Sequence, residues 1–293
     1  MKLRELYRDK RHVDISIELF PPKTPEGMIK LFEKIERLKK LQPAFFSMTY
    51  GAGGNTARTT LELVDKLKNE IRVETMCHLT VIGQSKAETC EILDQLQGMG
   101  VYNLIALRGD LPSNASDFNP ARDGFFHAID LVREAKARRF FSIAVAGFPE
   151  MHPDAVNAET DIRYLKEKVD AGADVIITQL FFDNEFYYRF VERVRKTGVK
   201  VPIIPGILPI LSVKQIRRFT ELCKASIPKV VSAELLKFEN DDTAAQQYGI
   251  KLATEQCQNL LQFGVPGIHF YALNQSQSVE AVLQNLNFPK HKF

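Results

Sequence analysis

The sequence predicts a single α/β domain, a (β/α)8 barrel of the TIM type with an extra helix between the seventh and eighth strands. Eight short apolar, β-rich runs recur along the chain, and stretches of helical length and periodicity separate them. Several runs end abruptly in a charged or amide residue, and the C-terminal ends of barrel strands are where such a fold places its chemistry.

The runs are Val13–Phe20, Phe45–Thr49, Val73–Leu79, Tyr102–Leu107, Phe141–Gly147, Asp174–Gln179, Val201–Gly206 and Ile268–Ala272. Between them, Glu26–Leu41, Ala57–Asn69, Ser85–Met99, Asp123–Arg138, Asp154–Ala171 and Asp183–Thr197 read as amphipathic helices. Gly100, Gly172, Gly198 and Gly264 each separate a helical pattern from the next strand, the place for a left-handed C-cap. Pro25 and Pro153 sit near helix starts, where a missing N–H costs nothing. The spacing breaks once, after the seventh run. There Ser212–Ala225 and Thr243–Phe263 both look helical, and Lys229–Phe238 (KVVSAELLKF) is open to being read as a strand. A doubly wound dinucleotide fold would need GxGxxG after a strand, and Gly51–Gly54 (GAGG) lacks that spacing.

Composition narrows the function. With 45% hydrophobic and 26% charged residues the chain reads as an ordinary soluble domain. Its 39 basic and 36 acidic residues leave +3, too little to argue for nucleic acid, though an anionic ligand fits. Cys77, Cys90, Cys223 and Cys257 lie far apart with no Cys/His cluster, so we expect reduced thiols and no metal. No apolar run approaches the ~20 residues of a membrane span. The basic start, MKLRELYRDKRH, lacks an apolar signal core. We expect a cytoplasmic protein with no membrane partner.

Candidate site residues follow from the strand ends. In DISIELF, Ile15, Ile17 and Leu19 point one way, and Ser16 and Glu18 the other. If the apolar set packs on the helices, Glu18 lies inside an apolar funnel. Burial there disfavours the charged form and suits a general acid. A structural ion pair is an equal alternative. Asp110 follows Arg108 and Gly109 after the fourth run and offers a carboxylate to a developing cation; a helix cap is the other reading. His78 ends the third run, and as a lone histidine it reads as either a structural or a site group. Gln179 ends the sixth and carries both a donor and an acceptor, suited to a heterocycle edge or to a satisfied core. The segment Gly147–Pro153 brings Phe148, Glu150 and His152 to the same mouth. Asp161, Tyr164 and Lys168, at i, i+3 and i+7, share one helix face that would suit a nucleotide or simply solvent.

In order along the chain, SIELFPPK (16–23), MTYG (48–51), HLT (78–80), ALRGDLP (106–112), FPEMHP (148–153), ITQLFFD (177–183), IPGILP (204–209) and HFYALN (269–274) closely resemble the short, bacterial-type members of the methylenetetrahydrofolate reductase family. The resemblance runs from about Ile15 to Asn274 and corresponds to the catalytic barrel alone, one FAD-binding domain over 1–293. It implies a flavoenzyme of one-carbon and methionine metabolism. Such an enzyme takes hydride from NADH or NADPH onto FAD and passes it to 5,10-methylenetetrahydrofolate.

By the same resemblance, Glu18 is the general acid and Asp110 the carboxylate beside flavin and pterin. Gln179, Phe219, Tyr271 and Gln275 are implied as substrate contacts. The FAD contacts implied are Thr49, Tyr50, Ala52, His78, Arg108, Gly109, Asp110, Ala128, Phe148, His152, Ala155, Asp161, Tyr164 and Lys168. Phe148 stands where Tyr is frequent, Tyr164 where Asn is usual, and Gln275 where Arg is typical. The partners expected are folate, a nicotinamide dinucleotide and further copies of the chain. Two rivals are a non-catalytic folate- or nucleotide-binding barrel and a proline dehydrogenase-like flavoenzyme. The presence of Glu18 and Asp110 argues against the first, and the motifs around Glu18 and Gln179 against the second.

Overall fold

The alternation of inward and outward residues on eight short strands closes them into one parallel barrel, in the order β1-β2-β3-β4-β5-β6-β7-β8. This is a computed structural model, and it describes residues 1–8, 12–50, 54–110 and 123–288, with residues 54–56 as backbone only. The strands are β1 Asp14–Leu19, β2 Phe45–Met48, β3 Thr75–Thr80, β4 Asn103–Leu107, β5 Ser142–Gly147, β6 Val175–Leu180, β7 Ile203–Ile207 and β8 Gly267–Tyr271. All eight expected strands form, each within two residues of its predicted start and end.

Before and between them lie α1 Leu3–Leu6, α2 Pro25–Lys39, α3 Gly54–Asp65, α4 Lys86–Gly98, α5 Ala128–Ala137, α6 Ala158–Asp170 and α7 Asn184–Lys196. Three helices, α8 Val213–Cys223, α9 Lys229–Leu236 and α10 Asp242–Phe263, separate β7 from β8, and α11 Ser276–Asn285 follows. The expected extra helix is therefore joined by a second. The segment open to a strand reading is α9, because Val231 and Leu235, four apart, are the buried pair while Val230 and Leu236 stay exposed.

Local chemistry sets the helix ends. Thr24, Ser85, Asn157, Asp183, Ser212 and Asp241 each accept a backbone N–H in the first turn of the following helix. Ser85 and Glu88 close a reciprocal capping box at α4. Pro25 occupies the first turn of α2 as expected. Pro153 does not: α6 begins five residues later, behind the Asn157 cap, and α5 likewise starts at Ala128, not Asp123. All four predicted cap glycines have positive φ.

Outward strand residues such as Ile15, Ile17, Leu19, Leu79, Leu104 and Ile143 pack with helix residues into the main core, which runs between barrel and helices. A second cluster fills the barrel, with Phe45, Met76, Ile105, Val175 and Ile204 around Leu3 and Tyr7 of the N-terminal segment. There Asn103 accepts the Leu3 N–H (2.9 Å) and Ser142 the Arg4 N–H (3.0 Å), which seals the floor. A third cluster, of Leu180, Phe182, Leu208 and Ile210 with residues of α8, α9 and α10, supports one side of the mouth.

Candidate active site

The alternation of β1 puts Ser16 and Glu18 inside the barrel, as expected, and Glu18 is only 6% exposed. Its Cα partners are Ser47 on β2 and Tyr271 on β8. Two imidazoles approach one of its oxygens: His78 Nε2 lies 3.4 Å and His269 Nε2 3.6 Å from Glu18 Oε2. Among the described residues, no Lys or Arg forms an ion pair with Glu18. Burial pushes His78 down to about 4, against the opposing pull of Glu18, so at neutral pH this is a carboxyl group against a neutral ring. His269 is in turn tied through Nδ1 to Ser16 Oγ at 2.8 Å.

Tyr271 lies beside them. Its hydroxyl donates to Thr178 O (2.6 Å), and burial, with Glu18 and Cys223 nearby, holds its pKa well above the ordinary value. The ring passes over Gly206: a Cβ there would meet Tyr271 Cε2 at 2.5 Å and the hydroxyl at 2.8 Å. Strand β6 slips register against β7 between Ile177 and Leu180, where Gly206 N–H is taken by Thr178 Oγ1 (3.0 Å). That irregularity carries Gln179, whose Oε1 accepts the Leu180 N–H at 2.8 Å. Gln179 lines a small recess with Phe148, Glu150, Cys223 and Lys224. Across it, Glu150 accepts the Ser226 N–H (3.1 Å), joining the loop after β5 to the segment after α8.

Asp110 is exposed at the end of the β4 loop. The preceding Gly109 has φ 90°, and a Cβ on it would meet Ile82 Cγ2 at 2.7 Å, so the turn that presents Asp110 requires glycine. Cys223 feels the charges of both Asp110 and Glu18, and burial raises its thiol to about 11.

A second group lies over β4, β5 and α6. Arg108 pairs with Asp154 (2.8 Å), whose N–H is accepted by His152 Nδ1 (3.0 Å). Asp161 accepts the His152 N–H (3.1 Å), and the Phe148 and His152 rings meet edge to face at 4.5 Å. Burial drives the Lys168 ammonium down to about 8 although Asp161 opposes the shift, and Nζ donates to Ala146 O (3.0 Å). Tyr164 parts from this expected trio. It is 53% exposed and stacks under Arg163. Ala128 and Ala155 are half-buried at the start of α5 and in the loop before α6.

Of the remaining expected residues, Thr49 O accepts from Thr60 Oγ1 (3.1 Å), and the Tyr50 hydroxyl accepts from Gln84 Nε2 (2.9 Å). Phe219 is half-buried against the third cluster, its ring engaged in packing. Gln275 is exposed at the N-cap of α11 and accepts from Lys34 Nζ (3.2 Å). Ala52, with most of the GAGG loop, and the Leu-Pro that ends ALRGDLP lie outside the described residues. His269, Ser16, Cys223 and Gly206 were not singled out as site residues. The period-2 alternation from Tyr271 back to His269 was the available signal for the histidine.

A closed parallel barrel with a buried carboxyl group, two imidazoles and an amide at the C-terminal ends of its strands has the architecture of a barrel enzyme acting on a small molecule. The family profile described as methylenetetrahydrofolate reductase matches residues 2–287. The 5,10-methylenetetrahydrofolate reductase of Salmonella typhimurium is 37% identical over 274 residues, covering 94% of this chain and 90% of the relative. Methylenetetrahydrofolate reductase (NADH) 1 of Zea mays is 42% identical over 282 residues, covering 92% of this chain and 48% of the relative. The chain thus spans about half the length of the plant relatives it matches. The chain belongs to the methylenetetrahydrofolate reductase family. In fold it is similar to a Clostridium thermocellum protein solved with two copies of 5-methyl-5,6,7,8-tetrahydrofolic acid, with a TM-score of 0.68 at 17% identity over 97% of each chain.

Proposed function

We propose that the protein reduces 5,10-methylenetetrahydrofolate to 5-methyltetrahydrofolate, drawing electrons from NADH or NADPH through bound FAD. The observation that carries this reading is Glu18, a carboxyl group 6% exposed at the mouth of the barrel and faced by neutral His78. A carboxyl group held there, out of bulk water, is placed to act as a general acid toward a bound substrate.

The mouth suits a flavin dinucleotide. Thr80 Oγ1, on β3, is buried without a hydrogen-bond partner, and a buried polar atom of that kind ordinarily meets a ligand or water. Arg108 and Lys168 lie near His152, whose ring meets Phe148, and together they supply the cationic or donor groups that a diphosphate and its nucleoside require. FAD would supply two-electron hydride storage between the two substrates.

Each remaining role belongs to the chain. Glu18 delivers a proton to the leaving amine as the methylene bridge opens to an iminium ion. Asp110 stabilises that cation from the exposed end of the β4 loop. Gln179 reads the edge of the pterin with its amide, and Tyr271 walls the site beside Glu18.

The purified protein is expected to be yellow and to release FAD on denaturation. A colourless protein that takes up no added FAD overturns the flavoenzyme reading. In Glu18→Gln, flavin reduction by the nicotinamide should proceed while reoxidation by methylenetetrahydrofolate falls by roughly 10²–10⁴-fold, the usual contribution of a general acid. Equal slowing of both half-reactions would make Glu18 structural.

A further inference from the structure

Glu18 is approached by two ring nitrogens, and both converge on a single oxygen. His269, on β8, is 1% exposed and sits deeper in the barrel than the reacting groups. Its Nδ1 is held by Ser16 Oγ at 2.8 Å, and its ring stacks on Phe45 (centroids 6.2 Å) and meets Tyr271 edge-on (5.4 Å). Ser16 and His269 are Cα partners across β1 and β8, so the contact is fixed by sheet register. Among the described residues, the other titratable groups facing Glu18 are His78 from β3, Tyr271 from β8 and Cys223 from α8. On the barrel floor, Tyr7 and Asp14 lie near Ser16.

We propose that His269 is a positioning residue for Glu18, with Ser16 selecting its tautomer. Ser16 donates its hydroxyl proton to Nδ1, so the ring carries its own proton on Nε2 and presents it to Glu18 Oε2. His78 Nε2 faces the same oxygen. Oε2 thereby becomes the anchored acceptor, and Oε1 carries the proton that the substrate receives. Distances of 3.4 and 3.6 Å exceed a closed hydrogen bond, as acid–base contacts often do before the substrate tightens the site. A donor aimed at a carboxylate favours its charged form. It therefore makes Glu18 readier to release its proton and stabilises the anion that remains.

This inference rests on the general-acid reading of Glu18, and the experiment separates the two. Reoxidation of the reduced holoenzyme by methylenetetrahydrofolate is followed by stopped flow from pH 5.5 to 9.5, alongside reduction by the nicotinamide. Wild type should lose rate along an alkaline limb as the acid deprotonates, and Glu18→Gln should abolish that limb. His269→Leu removes the donor, so its limb should move up by about one pH unit, with a rate loss of roughly tenfold at pH 7. His269→Gln places an amide N–H where Nε2 was and should keep both within about twofold, while Ser16→Ala should fall between the two. Reduction by the nicotinamide should be unchanged in all three variants, which reports that each is folded and loaded. Histidine ¹⁵N spectra provide a readout apart from turnover: wild-type His269 should show the Nε2–H tautomer, and Ser16→Ala should mix the two.

A limb unmoved in His269→Leu, or a Gln variant as impaired as the Leu variant, overturns the positioning role. So does an Nδ1–H tautomer in wild type. A limb that survives in Glu18→Gln overturns the general-acid reading and this inference with it.

Discussion

Gly206→Ala tests whether Tyr271 is placed by packing. The added Cβ would sit 2.5 Å from Tyr271 Cε2 and 2.8 Å from its hydroxyl, and would also press on the Thr178 carbonyl that this hydroxyl binds. None of these is the free end of a flexible side chain. The carbonyl belongs to β6, and the ring lies between β7 and the mouth. Overpacking of this kind costs roughly 1–3 kcal/mol, and breaking the hydrogen bond to Thr178 O adds about 1–2 kcal/mol for a buried carbonyl left unpaired. Thermal unfolding should therefore fall by roughly 4–10 °C, at about 2 °C per kcal/mol for a chain of this size. Because Tyr271 neighbours Glu18, reoxidation by folate should slow more than reduction by the nicotinamide. Tyr271→Ala supplies the control. In that background the two ring contacts are gone while the contact with the Thr178 carbonyl stays, and Gly206→Ala should cost about 1 kcal/mol less than it does alone. Strictly additive losses, or an unshifted melting temperature in Gly206→Ala, would refute the packing account.

Two further predictions concern charge. Burial lowers Lys168 to about 8, so between pH 8 and its unfolded value near 10.4 the unfolded chain binds more protons and Lys168's own contribution to stability rises with pH. The full span is roughly 3 kcal/mol. Burial raises Tyr50 to about 12, and Cys77 to about 12, which pulls the other way as pH rises. The quantity to measure is thus the wild-type minus Lys168→Met difference in denaturant midpoint, which should climb from pH 8 to 10, and a flat difference would contradict the assignment. At the opposite side of the mouth, Gln275→Arg should lower the folate KM by about fivefold, roughly 1 kcal/mol for a charged partner replacing a neutral one. Added salt should erode the gain. Lys34 already reaches Gln275 (3.2 Å), so an unchanged KM would show that the lysine, not position 275, meets the substrate carboxylates.

Much of this fold could be read because each strand carries its own boundary. Ile15, Ile17 and Leu19 alternate with Ser16 and Glu18, and only one face of that pattern can meet the helices. Turn chemistry was as legible: Pro25, Ser85 and Gly264 each act within one turn of themselves. Helix starts at α5 and α6 were misplaced because charged residues at Asp123 and Asp154 continue a polar pattern that the backbone does not follow. Asp154 is instead engaged by Arg108, 46 positions away in sequence, and no local signal reports such a pairing.

The site divides along the same line. Glu18, Asp110 and Gln179 could be proposed from position alone, because a polar residue that ends an apolar run in a barrel has few destinations other than the mouth. What those residues face depends on which strands adjoin, and closure of β8 onto β1 is the step that periodicity does not encode. That closure opposes Ser16 to His269 and Glu18 to Tyr271. It also ties the two loops at the top, where Asn274 accepts the Phe20 N–H (2.9 Å) and donates to Phe20 O (2.8 Å). Gly206, one strand further round, makes room for the tyrosine. Apart from His78, a strand-end acid thus acquires its environment from residues about 190 to 255 positions later in the chain. The chemistry assigned to Glu18 is accordingly as sensitive to the β7–β8–β1 register as to Glu18 itself.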